Sequence, residues 1–167
     1  MPNRVNMTAP ASASPLFLTE AEIRRGCELL YFGNAHLTRS IDKGLAAQGL
    51  GRAHHRALYF IARQPGMSVS DLLRLLAITK QSLGRVIGEL TERGLVETRS
   101  GERDRRQRLL SLTPAGRKLE SELFDAVKLR LGAAYASAGQ DAVGGFWKVL
   151  EGLIPESERS RVVKLRG

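Results

Sequence analysis

Residues 68–113 read SVSDLLRLLAITKQSLGRVIGELTERGLVETRSGERDRRQRLLSLT, and this stretch decides the fold. Ser68, with Asp71 three residues on, makes an N-cap close to a capping box. Val69, Leu72, Leu73 and Leu76 then recur at the spacing of one helix face. Thr79 can cap a second helix. Leu83, Val86, Ile87 and Leu90 form its inward stripe, and Lys80, Gln81, Ser82, Arg85 and Glu89 occupy its other face. Arg93-Gly94 closes it with a cation and a glycine, the usual C-terminal signal. Two short strand-like runs follow, Leu95–Arg99 and Arg108–Leu112, on either side of the arginine-rich segment 100–107. Helix, turn, helix and basic hairpin make a winged helix-turn-helix, an arrangement that reads duplex DNA.

Outside this stretch the chain is helical. Thr19-Glu-Ala-Glu22 is a capping box, so a helix starts near Glu20 and runs to about Gln48. Its apolar stripe is Ile23, Cys27, Leu30, Leu37, Ile41 and Leu45. Gly49-Leu-Gly51 breaks it, and Arg52 to Arg63 is a second helix ended by Pro65-Gly66. After the hairpin, Thr113-Pro114 reads as N-cap and first residue of a long helix carrying Leu119, Leu123, Val127 and Leu131. Ala138-Gly139 interrupts it, and Asp141 opens a last helix with Val143, Phe146, Trp147, Leu150 and Ile154 on one side. The expected fold is mainly α with a small β-hairpin. Residues 1–18 read as a disordered tail and 19–154 as one domain. The winged module occupies about 50–112, helices at about 19–48 and 113–154 flank it, and 155–167 reads as a flexible basic tail. The winged module is too small to cover the apolar stripes of the flanking helices, so a second copy is expected to bury them.

Composition bounds the function. The chain has 167 residues, 43% hydrophobic, enough for a real core. The net charge of +9 is spread along the chain, but residues 99–108 concentrate five arginines and two acids. One cysteine excludes an internal disulfide framework and suits a reducing cytosol. No apolar run approaches the ~20 residues of a membrane span. The start, Met1 to Ser14, lacks the apolar core of a signal peptide. No phosphate-binding glycine motif, nucleophile elbow or paired-carboxylate constellation is present, so an enzyme is not expected. No Cys/His set has zinc spacing, and no metal or cofactor is expected.

Residue chemistry assigns the reading roles. Gln81, Ser82 and Arg85 lie near the N-terminus of the second module helix, where recognition helices meet base edges. Gln pairs bidentately with adenine and Arg with guanine. Thr79 and Lys80, beside the positive end of the helix dipole, suit phosphates. In the hairpin a guanidinium can enter a narrow minor groove. Arg103, Arg105 and Arg108 are open between phosphate contact and solvent, and Arg159, Arg161, Lys164 and Arg166 are further phosphate candidates.

Asp104-Arg-Arg-Gln-Arg-Leu-Leu-Ser-Leu-Thr113 resembles the wing signature of the MarR family of bacterial transcription regulators: Asp-x-Arg, a short strand, then Leu-Thr opening a long helix. Thr79-Lys-Gln-Ser-Leu-Gly-Arg85 resembles the start of that family's recognition helix, and Glu89-Leu-Thr-Glu-Arg-Gly-Leu-Val96 its exit into the wing. The likeness covers roughly Thr19 to Ile154. Gly49-Leu-Gly-Arg-Ala-His-His-Arg56 with Thr79-Lys-Gln-Ser82 is similar to the PetP-type subgroup of α-proteobacteria. The resemblance implies a homodimer made by the flanking helices and a double-stranded DNA operator, near-palindromic, bound as a repressor in the bacterial cytoplasm, at the nucleoid. It also implies that Arg106 is the groove-entering arginine and Asp104 the acid that orients it by an ion pair. Two other functions stay open: a winged-helix protein-interaction module and a non-specific basic DNA binder.

The resemblance further implies an effector site between the dimerisation helices and the winged module, filled by a small molecule or answering a redox signal. Its candidates are Cys27, Tyr31, His36, His54 and His55. Cys27 with Tyr31 one turn on resembles the peroxide-sensing OhrR branch, but Arg52 and His55 stand where that branch has two tyrosines. Cys27 is open between a structural thiol, a redox sensor and a metal or haem ligand. Burial beside Ile23 and Leu30 is expected to keep it inert. Adjacent His54 and His55 point about 100° apart on a helix and cannot chelate one ion together.

Overall fold

In the computed structural model, described over residues 19–102 and 104–165, the expected helices and hairpin strands follow in order, joined by one further short strand and one further helix. The N-terminal tail, Arg103 and Arg166 lie outside the described residues. The described residues through His36 form one compact unit, and those from Leu37 form a second.

Helix α1 spans Glu20–Ala47. The hydroxyl of Thr19 accepts the Glu22 N–H at 3.3 Å, and Glu20 and Glu22 face the positive end of the dipole. Within the first unit Ile23, Leu29, Leu30, Tyr31 and Phe32 are exposed. Cys27 is exposed as well, which corrects the expected burial of its thiol. Its neighbours on the stripe do not cover it because they meet solvent themselves.

The second unit holds the core. Ile41 and Leu45, at the end of α1, are buried in it. Helix α2 (Arg52–Arg63) adds Ala57, Leu58 and Ile61. Strand β1 (Met67–Ser68) leads into helix α3 (Val69–Leu76). Ser68 Oγ accepts the Asp71 N–H at 3.1 Å and donates to Asp71 Oδ2 at 2.7 Å, the expected cap. Helix α4 (Lys80–Glu92) starts at Thr79, whose Oγ1 accepts the Ser82 N–H at 3.1 Å. Gly94, at φ +66°, turns the chain out of α4. Leu95 N–H is consumed by the Leu90 carbonyl in that turn. Strand β2 therefore begins one residue later than its sequence suggests, at Val96–Ser100.

Strand β3 (Arg108–Leu112) pairs antiparallel with β2, Val96 opposite Leu112. It also pairs with β1, Met67 opposite Leu110, so the expected two-stranded hairpin is the larger part of a three-stranded sheet in the order β1-β3-β2. Leu72, Leu83, Leu90, Val96 and Leu110 are fully buried beneath it.

Helix α5 (Pro114–Ala138) is capped by Thr113, whose Oγ1 accepts the Gly116 N–H at 3.0 Å and donates to the Gly94 carbonyl at 2.6 Å. Leu119 and Leu123 anchor α5 in the core. Helix α6 (Gln140–Leu153) follows Gly139. The chain then forms helix α7 (Glu156–Lys164) where a flexible tail was expected. Acids in its first turn and cations in its last match the helix dipole. The Arg63 guanidinium donates twice to the Leu165 carbonyl, at 3.0 and 2.6 Å, and ties this end to α2. Leu129, Phe146, Trp147, Val149, Leu153 and Val163 remain exposed.

Candidate DNA-reading surface

Helix α4 divides as its spacing requires. Leu83, Val86, Ile87 and Leu90 are buried, while Lys80, Gln81 and Arg85 are exposed and Ser82 is half-buried. Thr79 ends with its hydroxyl donating to Ser82 Oγ at 2.9 Å, so both hydroxyls are engaged in the cap. The first two turns of α4 thus present Lys80, Gln81 and Arg85 to solvent.

The wing tip is a hydrogen-bonded turn. Gly101 N–H donates to the Gln107 carbonyl at 2.9 Å, and Gln107 N–H to the Asp104 carbonyl at 3.0 Å. Asp104 Oδ1 accepts the backbone N–H of Arg106 at 2.9 Å. Among the described ion pairs none joins the side chains of Asp104 and Arg106, so Asp104 acts here by shaping the backbone turn rather than by pairing with the guanidinium. Arg105, Arg106 and Arg108 are exposed around this turn. With Arg99 on β2, four described arginines are exposed on one short hairpin.

The effector candidates divide between the two units. Cys27, Tyr31 and His36 are exposed on α1 in the first. His54 and His55 lie on α2 in the second. His54 is engaged: its Nδ1 accepts the Gly51 N–H at 3.0 Å, and its Nε2 lies 2.7 Å from Glu89 Oε2. His55 is different. Its ring packs near Tyr59, 6.4 Å between centroids, and its Nε2 is buried without a hydrogen-bond partner. Burial, with a smaller push from the Arg56 cation, holds His55 below the usual histidine range. Among the described residues no group of three or more His, Cys, Asp or Glu could hold a metal ion. Among them, too, no helix is long and apolar enough to cross a membrane.

Sequence reasoning missed the Glu89 contact, the α7 helix and the Arg63 tie to Leu165. The first and last join residues far apart in sequence and carry no local signal.

Comparison with known proteins agrees with this geometry. The family model described as MarR family matches residues 48–107. The chain is 44% identical over 158 residues to the HTH-type transcriptional regulator PetP of Rhodobacter capsulatus, covering 95% of each. Among solved structures, a MarR mutant from E. coli complexed with operator DNA superposes with a TM-score of 0.64 at 22% identity, covering 85% of this chain and 100% of that one. NadR in complex with 4-hydroxyphenylacetate superposes with a TM-score of 0.67 at 23% identity, covering 92% and 97%. A winged helix with an arginine-rich tip, on a chain this similar to a known regulator, is not an enzyme but a DNA-binding transcription factor, and the chain belongs to the MarR family of transcriptional regulators.

Proposed function

We propose that the chain is a repressor that binds a near-palindromic operator as a homodimer in the bacterial cytoplasm, and that a small-molecule or redox signal releases it. The observation that carries this reading is the division of α4 into a buried stripe and an exposed N-terminal face of Lys80, Gln81 and Arg85. Gln81 and Arg85 read base edges in the major groove. Thr79 and Lys80 meet phosphate at the helix N-terminus, and Ser82 lies between the two sets. Arg106 enters the minor groove from the wing, while Arg103, Arg105 and Arg108 meet the flanking backbone. Occupying an operator excludes polymerase from overlapping DNA, which makes repression the direct consequence of binding.

Exposed apolar side chains support the homodimer. Ile23, Leu30 and Phe32 on α1, Leu129 on α5 and Trp147 and Leu153 on α6 all meet solvent in a single copy. The signal is read less directly. His55, with its unpartnered buried nitrogen, is the effector candidate best placed to receive a polar ligand, since His54 is already engaged. NadR is complexed with 4-hydroxyphenylacetate, and a small organic acid is the corresponding class of signal here.

Selection of bound duplexes from random sequence tests the reading. The expected product is a near-palindrome with half-site centres about 10 bp apart. A non-specific basic binder would show steep salt dependence without a motif, and a protein-interaction module would show neither.

A further inference from the structure

Glu89 lies two turns into α4, on the helix that reads DNA, yet it is an acid. An unpaired carboxylate there would repel phosphate. One of its oxygens is hydrogen-bonded, and the other faces a cation at ion-pair distance. Oε2 lies 2.7 Å from His54 Nε2, and Oε1 lies 3.9 Å from Arg85 Nε. His54 is itself fixed from behind, because its Nδ1 accepts the Gly51 N–H at 3.0 Å. An amide can only donate, so Nδ1 carries no proton. Neutral imidazole must then carry its proton on Nε2 and donate it to Glu89. The side chain of His54 is only 14% exposed, against 77% for Arg85. The chain of contacts therefore runs from a backbone amide, through a sheltered ring, to an exposed guanidinium.

We propose that His54 and Glu89 are positioning residues that hold Arg85 for base readout, so that His54 sets sequence specificity without touching DNA. The inference rests on the reading of Arg85 as a base-contacting residue. A long arginine on an open helix face samples many rotamers, and each must be frozen on binding. The carboxylate of Glu89, 3.9 Å from Arg85 Nε, attracts the guanidinium on that side, which narrows the choice and leaves the terminal nitrogens to meet a guanine edge. Glu89 can serve only if it is itself held, and the His54 proton holds it. The residue that holds Glu89 lies off α4 itself, in the first turn of α2.

Two substitutions separate this role from simple capping. His54→Asn keeps an oxygen near the Nδ1 position to accept the Gly51 N–H but is too short to reach Glu89. His54→Gln keeps an N–H near the Nε2 position for Glu89 and loses the cap. The measurement is binding of the full chain to its selected duplex, to single-base variants of it and to random duplex, alongside thermal melting. Arg85→Ala should flatten preference at one base pair per half-site. His54→Asn should reduce discrimination at that same base pair by about threefold to tenfold, leaving random-duplex binding and melting unchanged. His54→Gln should restore it, and adding His54→Asn to Arg85→Ala should cost nothing more there. If Arg85→Ala flattens that preference and His54→Asn does not, the relay is wrong while the reading of Arg85 stands. If Arg85→Ala leaves every preference intact, both fall. Discrimination lost only together with melting temperature, in both His54 variants, would make His54 a structural cap and overturn the proposal.

Discussion

Gly116 in the first turn of α5 stands so close to the Leu95 carbonyl that a methyl group in place of its hydrogen would lie inside that oxygen. The neighbouring bonds explain the approach. Thr113 N–H donates to the same carbonyl at 3.1 Å, and the Thr113 hydroxyl donates to Gly94 beside it. Gly116→Ala must push α5 away from the base of the wing against those bonds. We expect a loss of about 3 kcal/mol in stability, read by denaturant unfolding at fixed protein concentration. An unchanged midpoint would show that the helix start can shift freely.

Ser68 and Asp71 give a pH-dependent prediction. The Ser68 hydroxyl first, and then Arg74, hold the Asp71 carboxyl below its ordinary value of 3.8. A carboxylate held lower in the folded chain adds stability above its unfolded value and loses it as pH falls through the folded one. Ser68→Ala should cost about 1 kcal/mol at pH 7 through the lost cap. The gap to wild type should begin to narrow below about pH 4, as Asp71 protonates in the unfolded chain, and should shrink until pH has fallen through the lower folded value. A gap that stays constant down to acid unfolding would detach the carboxylate from the cap.

The wing and the recognition helix should fail differently. Arg106→Ala should weaken binding by about 1–3 kcal/mol and lower the salt slope by about one. Gln81→Ala should instead relax preference at particular bases. Asp104→Ala should give a smaller loss than Arg106→Ala, because it loosens the turn that presents the arginine. Unaltered affinity of Arg106→Ala for the selected site would remove the wing assignment.

The homodimer is open to a direct test. A glutamate placed in an apolar interface is buried without a partner, at several kcal/mol. Leu30→Glu and Leu153→Glu should each shift the mass seen by light scattering at micromolar concentration from dimer to monomer. Operator affinity should fall with it, since one half-site binds alone. A wild-type monomer at that concentration would end the proposal.

The parts of the fold that a reader of the sequence could find are those set by neighbouring residues. Ser68, Thr79 and Thr113 bond amides three residues away, so the caps are visible in the chain itself. The α4 stripe is equally local. Strand β1 was not visible because two residues carry no alternation, and only the pairing of Met67 with Leu110 makes them a strand. Helix α7 was hidden by its composition: its residues are mostly charged and none is buried. Read alone, ESERSRVVK lacks the periodic apolar face that marks a helix.

The site was legible to the same degree. The exposed Lys80, Gln81 and Arg85 follow from helix period alone. The partner of Glu89 does not, since His54 lies 35 residues away. Cys27 shows the opposite error. An apolar stripe says which side chains share a face, but not whether anything within the chain covers that face.

Arg93 ends α4, and its guanidinium reaches back to the turn after α1, bonding the Gln48 carbonyl at 2.5 Å and the Gly49 carbonyl at 3.4 Å. The two ends are thereby clamped by a cation on carbonyls rather than joined through a slack loop. The C-terminal end of α1 and the far end of α4 are thus coupled through one side chain. In the homodimer proposed above, this clamp would tie the spacing of the two reading helices to the end of α1, and would leave the operator few half-site separations to choose from.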